Sequence, residues 1–213
     1  MELCQELKKF QIESLSDAMD TLGLKGVLYQ MNGISKNRHA VGIAYTVEFC
    51  KDYEKEKCVA ADYIDEVKEN QIIVIQNNGE INCSVWGNIL THMAVMKQIQ
   101  GTIINGACRD VACIKEKQYP LFAKGTTCKT GKGIVKLKSV GEKLQIDGVT
   151  IQPGDYIVAQ ESSVLVIPKE KVGQVIQTAL EIEQMEDKIL KAITKDKIPL
   201  KEAREKYHYN RYK

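Results

Sequence analysis

A chain of 213 residues with 44% hydrophobic and 27% charged positions is long enough to bury a sizeable core, and its composition is neither disordered nor fibrous. Its 30 basic and 28 acidic residues are interspersed and leave a net charge of +2, which gives no electrostatic reason to expect nucleic acid or an anionic membrane as the main partner. The N-terminal MELCQELKKFQIE has no apolar core of signal-peptide length and no segment approaches the ~20 apolar residues of a membrane span, so a cytoplasmic protein is expected.

In chain order, residues 11 to 22 read as a short helix. Ser16 can cap it, Leu15, Met19 and Leu22 recur near helical spacing, and Gly23 is placed to end it. HAVGIAYTVEF, 39 to 49, alternates Val41, Ile43, Tyr45 and Val47 with small or polar residues and reads as a half-buried strand. A polar helical stretch over 59 to 69 leads to QIIVIQN, 71 to 77, a β-branched run suited to an interior strand. Two strands with a helix between them predict an α/β sheet.

After Gly87, NILTHMAVMKQI carries Ile89, Leu90, Met93, Ala94, Met96 and Ile99 mostly on one helical face, and GTIING, 101 to 106, returns to strand character. From 133 to 168 the chain alternates strands with turn residues at Gly141, Asp147-Gly148 and Pro153-Gly154-Asp155, which predicts a small antiparallel section. A long helix is expected from Lys169 to about Lys195, then a break at Pro199, a short helix and the tail KYHYNRYK. The simplest account is one domain over 1–213, of which 169–213 is a helical C-terminal extension.

Seven cysteines, at 4, 50, 58, 83, 108, 113 and 128, include no C-x-x-C pair, so they fit neither a disulfide framework nor a zinc finger and read as free thiols. Cys108 lies beside Arg109 and Asp110, but a cysteine nucleophile needs a histidine partner, and His39, His92 and His208 offer none by sequence. His92 reads as a helix-surface or core histidine. Tyr207, His208, Tyr209 and Arg211 mix aromatic and basic character as single-strand binders do, yet a short terminal run is more often a packing arm.

The stretch that carries chemistry is WGNILTHMAVMKQIQGTIINGACRD, 86 to 110. Gly87 precedes a helix, so the backbone amides of Asn88, Ile89 and Leu90 can face an incoming carboxylate, with the helix dipole adding to the attraction. The strand that follows ends at Asn105-Gly106, and the adjacent loop presents Arg109 and Asp110 where α/β proteins gather ligands. Taken alone, the Arg-Asp pair fits a solvated surface as well as a site.

Asn88 and the Arg109-Asp110 pair have twenty residues between them, which resembles the acidic-residue-x20-Arg-Asp signature of the RraA-like (4-hydroxy-4-methyl-2-oxoglutarate aldolase-like) family. The flanks WGNIL and GACRDV are similar to that family too, as are SDAMD at 16–20, VGIAYTVEF at 41–49, YPLFAKGTT at 119–127 and GVTIQPGDYIVAQESSVLVIP at 148–168. The resemblance implies a layered α/β sandwich with a central β-sheet.

It also implies a lyase that uses Mg²⁺ or Mn²⁺ to cleave or decarboxylate a small 2-oxo acid with release of pyruvate, assembled as a homotrimer or homohexamer with sites at subunit interfaces. Under it Arg109 binds the 2-oxo oxygen, Asp110 holds the metal, and the amides of Ile89 and Leu90, exposed by Gly87, hold the carboxylate. Hard oxygen ligands suit such ions, and one direct carboxylate leaves the remaining coordination to water and substrate. A competing branch of the family is a non-enzymatic regulator that binds an RNA-degrading endonuclease; it tends to lack the aspartate after the arginine, and Asp110 is present.

The C-terminal helix adds a further expectation. Val172, Val175, Ile176, Ala179, Leu190 and Ile193 fall on one stripe, and Glu183 and Glu186 land on it as well. A carboxylate on an apolar face is costly unless something satisfies it, although both glutamates could equally reach solvent past a packed region. In the family a glutamate on this helix reaches a neighbouring subunit's site, and the local pattern assigns Glu186, with Glu183 second. Asn88 stands where family aldolases carry Asp or Glu; asparagine can hydrogen-bond a water but cannot accept a proton. AQES at 159–162 and KENQ at 68–71 also depart from the family pattern, outside the proposed site.

Overall fold

The computed structural model describes residues 2–53 and 61–209. Short helices α1 (Glu2–Leu7) and α2 (Ile12–Thr21) open the chain, followed by the two-residue strands β1 (Val27–Leu28) and β2 (Asn32–Gly33) and the long strand β3 (His39–Lys51). A 3₁₀ turn (Asp62–Glu66) leads to β4 (Gln71–Gln76), α3 (Asn88–Met96), β5 (Gly101–Cys108), α4 (Val111–Glu116) and β6 (Leu121–Thr126). The antiparallel part comprises β7 (Val135–Val140), β8 (Leu144–Ile146), β9 (Val149–Ile151), β10 (Tyr156–Gln160) and β11 (Ser163–Ile167). It is followed by α5 (Val172–Thr194) and α6 (Leu200–Lys206).

One sheet runs β1-β11-β10-β3-β4-β5-β6-β2, with β7 paired to the far end of β3. Strands β3 to β6 are parallel, and β10 and β11 extend the sheet antiparallel. Every residue of β5 is buried, as is all of β4 after Gln71, which is the near-continuous apolar reading expected of parallel strands covered on both faces. β3 supports three partners: β10 along its first five residues, β4 along its middle, and β7 from Val47 to Lys51 with a register shift between Glu48 and Phe49.

Alternation along the strands divides the core. Ala40, Ala44, Ile72, Val74, Ile103, Ile157 and Val166 face a cluster closed by Leu28, Met31 and the β8–β9 hairpin. On the opposite face, Val41, Val158 and Leu165 pack under α1, α2 and α5, while Val47, Ile73, Ile75 and Ile104 pack with Trp86, Leu90 and Ile114 from the α3–α4 side. This is the layered α/β architecture expected. The β8–β9 hairpin turns on Asp147 and Gly148, both at positive φ (51° and 79°), as its Asp-Gly pair predicts.

Several local expectations change. Ser16 does not cap the first long helix: α2 starts at Ile12, and the Ile12 amide is capped at 3.0 Å by Oε1 of Gln160 from β10, a donor–acceptor pair that no local pattern could reveal. Gly23 does end α2, at φ 67°. Within the expected helical stretch 59–69 the described part is the 3₁₀ turn, and residues 59 and 60 lie outside the described residues, as do Cys58 and Arg211. Ile89 (74% exposed) and Met96 (77%) of α3 point outward, and the buried face is Leu90, Thr91 and Ala94. On α5 the buried stripe is Val172, Val175, Ala179, Ile182, Met185, Ile189 and Ala192, so Leu190 faces out. Among the described residues no helix is long and apolar enough to cross a membrane.

Candidate functional site

The segment between β4 and α3 folds back over the C-terminal end of β5. The Val85 amide donates to the Ala107 carbonyl (3.1 Å), Ser84 and Ala107 form a parallel bridge, and the Arg109 amide donates to the Trp86 carbonyl (2.9 Å). These bonds set Gly87, the residue that starts α3, directly against Arg109 and Asp110. The two halves of the sequence motif therefore meet.

The join is closed by Asp110. Its Oδ2 accepts the Asn88 amide at 2.9 Å and lies 3.5 Å from Nε of Arg109, and both side chains remain about one-third exposed (37% and 36%). Asp110 sits in the left-handed region (φ 56°, ψ 41°) as the N-cap of α4. Aspartate is among the residues that enter this region most readily, and eight other described non-glycine residues share it, so the conformation turns the chain into α4 without by itself marking a site.

Gly87 is required by space. Its backbone is extended (φ −154°, ψ −161°), but a Cβ there would lie 2.7 Å from Asp110 Oδ2 and 3.2 Å from Arg109 Nε. Gly87→Ala should therefore leave the fold intact and push Asp110 away from the Asn88 amide. Since a misplacement of about 1 Å can cost a reaction ~10²-fold, any activity that depends on this corner should fall by about that factor in the variant while its circular dichroism and unfolding midpoint stay near wild type. Equal turnover would show that the closeness of Gly87 to the pair has no role.

Of the three amides expected to face an anion, the structure commits one: Asn88 N–H is taken by Asp110. The first bond inside the helix is Thr91 N–H to the Gly87 carbonyl (3.0 Å), so Ile89 and Leu90 keep amides with no acceptor within the helix. Two of the three amides expected to face an anion, those of Ile89 and Leu90, therefore remain without a helical partner, and the third does not.

Cys108 is fully buried and burial pushes its thiol up to about 12, which removes it as a nucleophile. The described cysteines 4, 50, 83, 108, 113 and 128 are free, as expected. The histidine partner that the sequence did not reveal belongs to a different cysteine: Nδ1 of His92 lies 3.7 Å from Sγ of Cys113 and 2.8 Å from the Asn88 carbonyl. The carbonyl requires a proton on Nδ1, so that nitrogen is a donor and no base for the thiol. His92 is exposed, the helix-surface reading.

Glu186 and Glu183 are half-buried on α5, whose main packing partners are α2, α1 and α6. The Glu186 carboxyl is pushed up by burial first, then by the nearby charges of Asp17, Glu183 and Asp187. Within one chain Glu186 is within electrostatic reach of Asp17 on α2, which packs on α5, whereas α3 and α4 pack on each other. Among the described residues no group of three or more His, Cys, Asp or Glu side chains could hold a metal. The corner itself presents one carboxylate, that of Asp110.

The chain is thus a layered α/β domain whose helix start is held against an Arg-Asp corner at the ends of parallel strands. The chain belongs to the RraA-like family: the family model described as Aldolase/RraA matches residues 12–166. It is 39% identical over 209 residues to Protein DlpA of Legionella pneumophila, a match that covers 97% of this chain but 34% of that protein, so the chain spans about a third of that relative's length. It is 25% identical over 123 residues, 56% of this chain and 72% of the relative, to a 4-hydroxy-4-methyl-2-oxoglutarate aldolase of Thermus thermophilus. Among solved structures it is similar to an uncharacterized protein from Pseudomonas syringae, with 37% identity, a TM-score of 0.89, and coverage of 97% of this chain and 94% of that one.

Proposed function

We propose that this chain is a divalent-metal-dependent lyase that cleaves or decarboxylates a small 2-oxo acid to give pyruvate. The observation that carries the reading is the 2.9 Å bond from the Asn88 amide to Asp110 Oδ2, which joins an anion-receptive helix start to a guanidinium-carboxylate pair. The aldolase name of the Thermus relative supports the reaction class.

The amides of Ile89 and Leu90 hold the substrate carboxylate, with the positive end of α3 adding to the attraction. Arg109 engages Asp110 through Nε and offers its remaining N–H groups to the 2-oxo oxygen, where negative charge develops as the C–C bond breaks. Asp110 is the hard oxygen donor that would hold Mg²⁺ or Mn²⁺. Such an ion, when bound, supplies Lewis-acid stabilisation of the same charge. Asn88 orients water beside the cleft through its side-chain amide and cannot accept a proton as an acidic residue would.

We further propose that the chain works as a homotrimer or homohexamer in which Glu186 of one copy serves the site of the next. Exposed Ile89, Val95 and Met96 on α3, beside the cleft, support an apolar subunit contact there. The same apolar face favours a second reading, a regulator that docks a protein partner such as an RNA-degrading endonuclease.

A coupled assay for pyruvate decides between them. Oxaloacetate and 4-hydroxy-2-oxo acids are offered with Mg²⁺ or Mn²⁺ and then with chelator. Chelator-sensitive pyruvate release is the expected result; no release from any 2-oxo acid, with tight binding of a protein partner, would replace the lyase reading by the regulatory one.

A further inference from the structure

We propose that Thr91 is a positioning residue whose buried hydroxyl holds the start of α3 in register with the Arg109-Asp110 corner. Thr91 is fully buried. Its Oγ1 accepts the indole Nε1–H of Trp86 at 3.0 Å and donates to the Gly87 carbonyl at 2.9 Å, so both of its roles are used on the two residues that precede Asn88.

A threonine that bonds the carbonyl four residues back is common in helices. The bond to the indole is not part of that habit, and it ties the helix to the residue whose carbonyl accepts the Arg109 amide at 2.9 Å. Trp86 is itself fixed, since its ring lies parallel to that of Tyr119 with centroids 6.0 Å apart, and the Tyr119 hydroxyl pairs with Thr102 Oγ1 at 2.9 Å. The path from the buried aromatic pair through one hydroxyl to Gly87 is therefore continuous. At Gly87 the two segments approach closely, since a Cβ there would lie 2.7 Å from Asp110 Oδ2.

Neither helix propensity nor packing accounts for this residue. Threonine is a modest helix former, and valine would fill the same volume without the hydroxyl. Removing the hydroxyl leaves a buried indole N–H without an acceptor, a penalty relieved only if Trp86 moves, and Trp86 carries the Arg109 amide.

The chain contains a single tryptophan, so its indole N–H gives one resonance in a ¹H–¹⁵N spectrum, and the amides of Asn88 and Arg109 report the two halves of the corner. Thr91→Val should shift all three signals, whereas Thr91→Ser should leave them near wild type. Trp86→Phe, which keeps the ring stack but removes the donor, should shift the Asn88 and Arg109 amides and covers the case in which the valine variant does not fold.

The kinetic readout rests on the lyase reading. With Mg²⁺ and oxaloacetate, Thr91→Val should lose about tenfold in kcat/KM, mainly through KM because the carboxylate-holding amides are displaced, with the serine variant close to wild type. Unmoved Asn88 and Arg109 amides in both the valine and phenylalanine variants would overturn the inference, as would moved amides with unchanged kcat/KM. A wild-type protein that turns over no 2-oxo acid would sink the lyase reading alone, and the amide shifts would still decide whether Thr91 sets the register.

Discussion

Asp110→Ala is expected to abolish metal-dependent turnover while leaving a folded protein. The carboxylate is about one-third exposed, so little apolar packing is lost, and the structural role of its side chain is confined to the bond from the Asn88 amide and the contact with Arg109 Nε. Alanine at a left-handed position costs about 1–2 kcal/mol, a tolerable fraction of the stability of a domain this size. Asp110→Asn separates the two roles, because asparagine accepts the left-handed conformation and can still receive the Asn88 amide, yet it removes the charge. Turnover should therefore be lost in both variants, and calorimetric titration should find Mn²⁺ binding weakened in both. An asparagine variant with wild-type activity would show that Asp110 acts as a cap and not as an ion ligand.

Arg109→Ala is expected to cut kcat by about 10²- to 10³-fold, the usual loss when a donor aimed at developing negative charge is removed. The change should fall on kcat more than on KM, because the substrate carboxylate is assigned to the Ile89 and Leu90 amides on the other side of the cleft. The fold should survive, since the bond that links residue 109 to Trp86 comes from the backbone amide and not the side chain. Arg109→Lys keeps the charge but loses the planar fork of donors, and only partial recovery is expected. Steady-state kinetics with oxaloacetate checks the split. If both this variant and Asp110→Ala turn over at the wild-type rate, the corner is not the active site.

These substitutions differ in kind from Gly87→Ala and Thr91→Val. In the proposed function Arg109 and Asp110 present groups to the ligand, whereas Gly87 and Thr91 are proposed to hold the two segments close enough for those groups to act together. The site combines exposed chemistry with buried geometry: the half-open carboxylate and guanidinium rest on Thr91, Trp86 and Tyr119, each at most 2% exposed. A left-handed Asp110 is maintained because the turn into α4, where its carbonyl accepts the amides of Cys113 and Ile114, over-determines it.

By itself the sequence determined the alternation of β-branched runs and amphipathic stretches, and with it the α/β class, the central strands and the antiparallel section with its Asp147-Gly148 turn. It also determined that a helix start and an Arg-Asp pair stand at the spacing of this family, because local periodicity and turn chemistry are written in consecutive residues. Only the tertiary structure decided which face of each helix is buried. An apolar stripe that includes Ile89, Met96 or Leu190 is broad enough to fit two orientations, and the packing partner selects one.

Only the fold, likewise, could reveal the Gln160 cap on α2, the His92–Cys113 pair, the Thr91 bridge and the left-handed Asp110, and it placed Glu186 beside Asp17 within its own chain. Some of these contacts join residues distant in sequence, and the local ones depend on the backbone path, so they form only after the chain has closed on itself. Hydrogen-bond geometry at a few ångströms is a property of that closure and not of any local pattern.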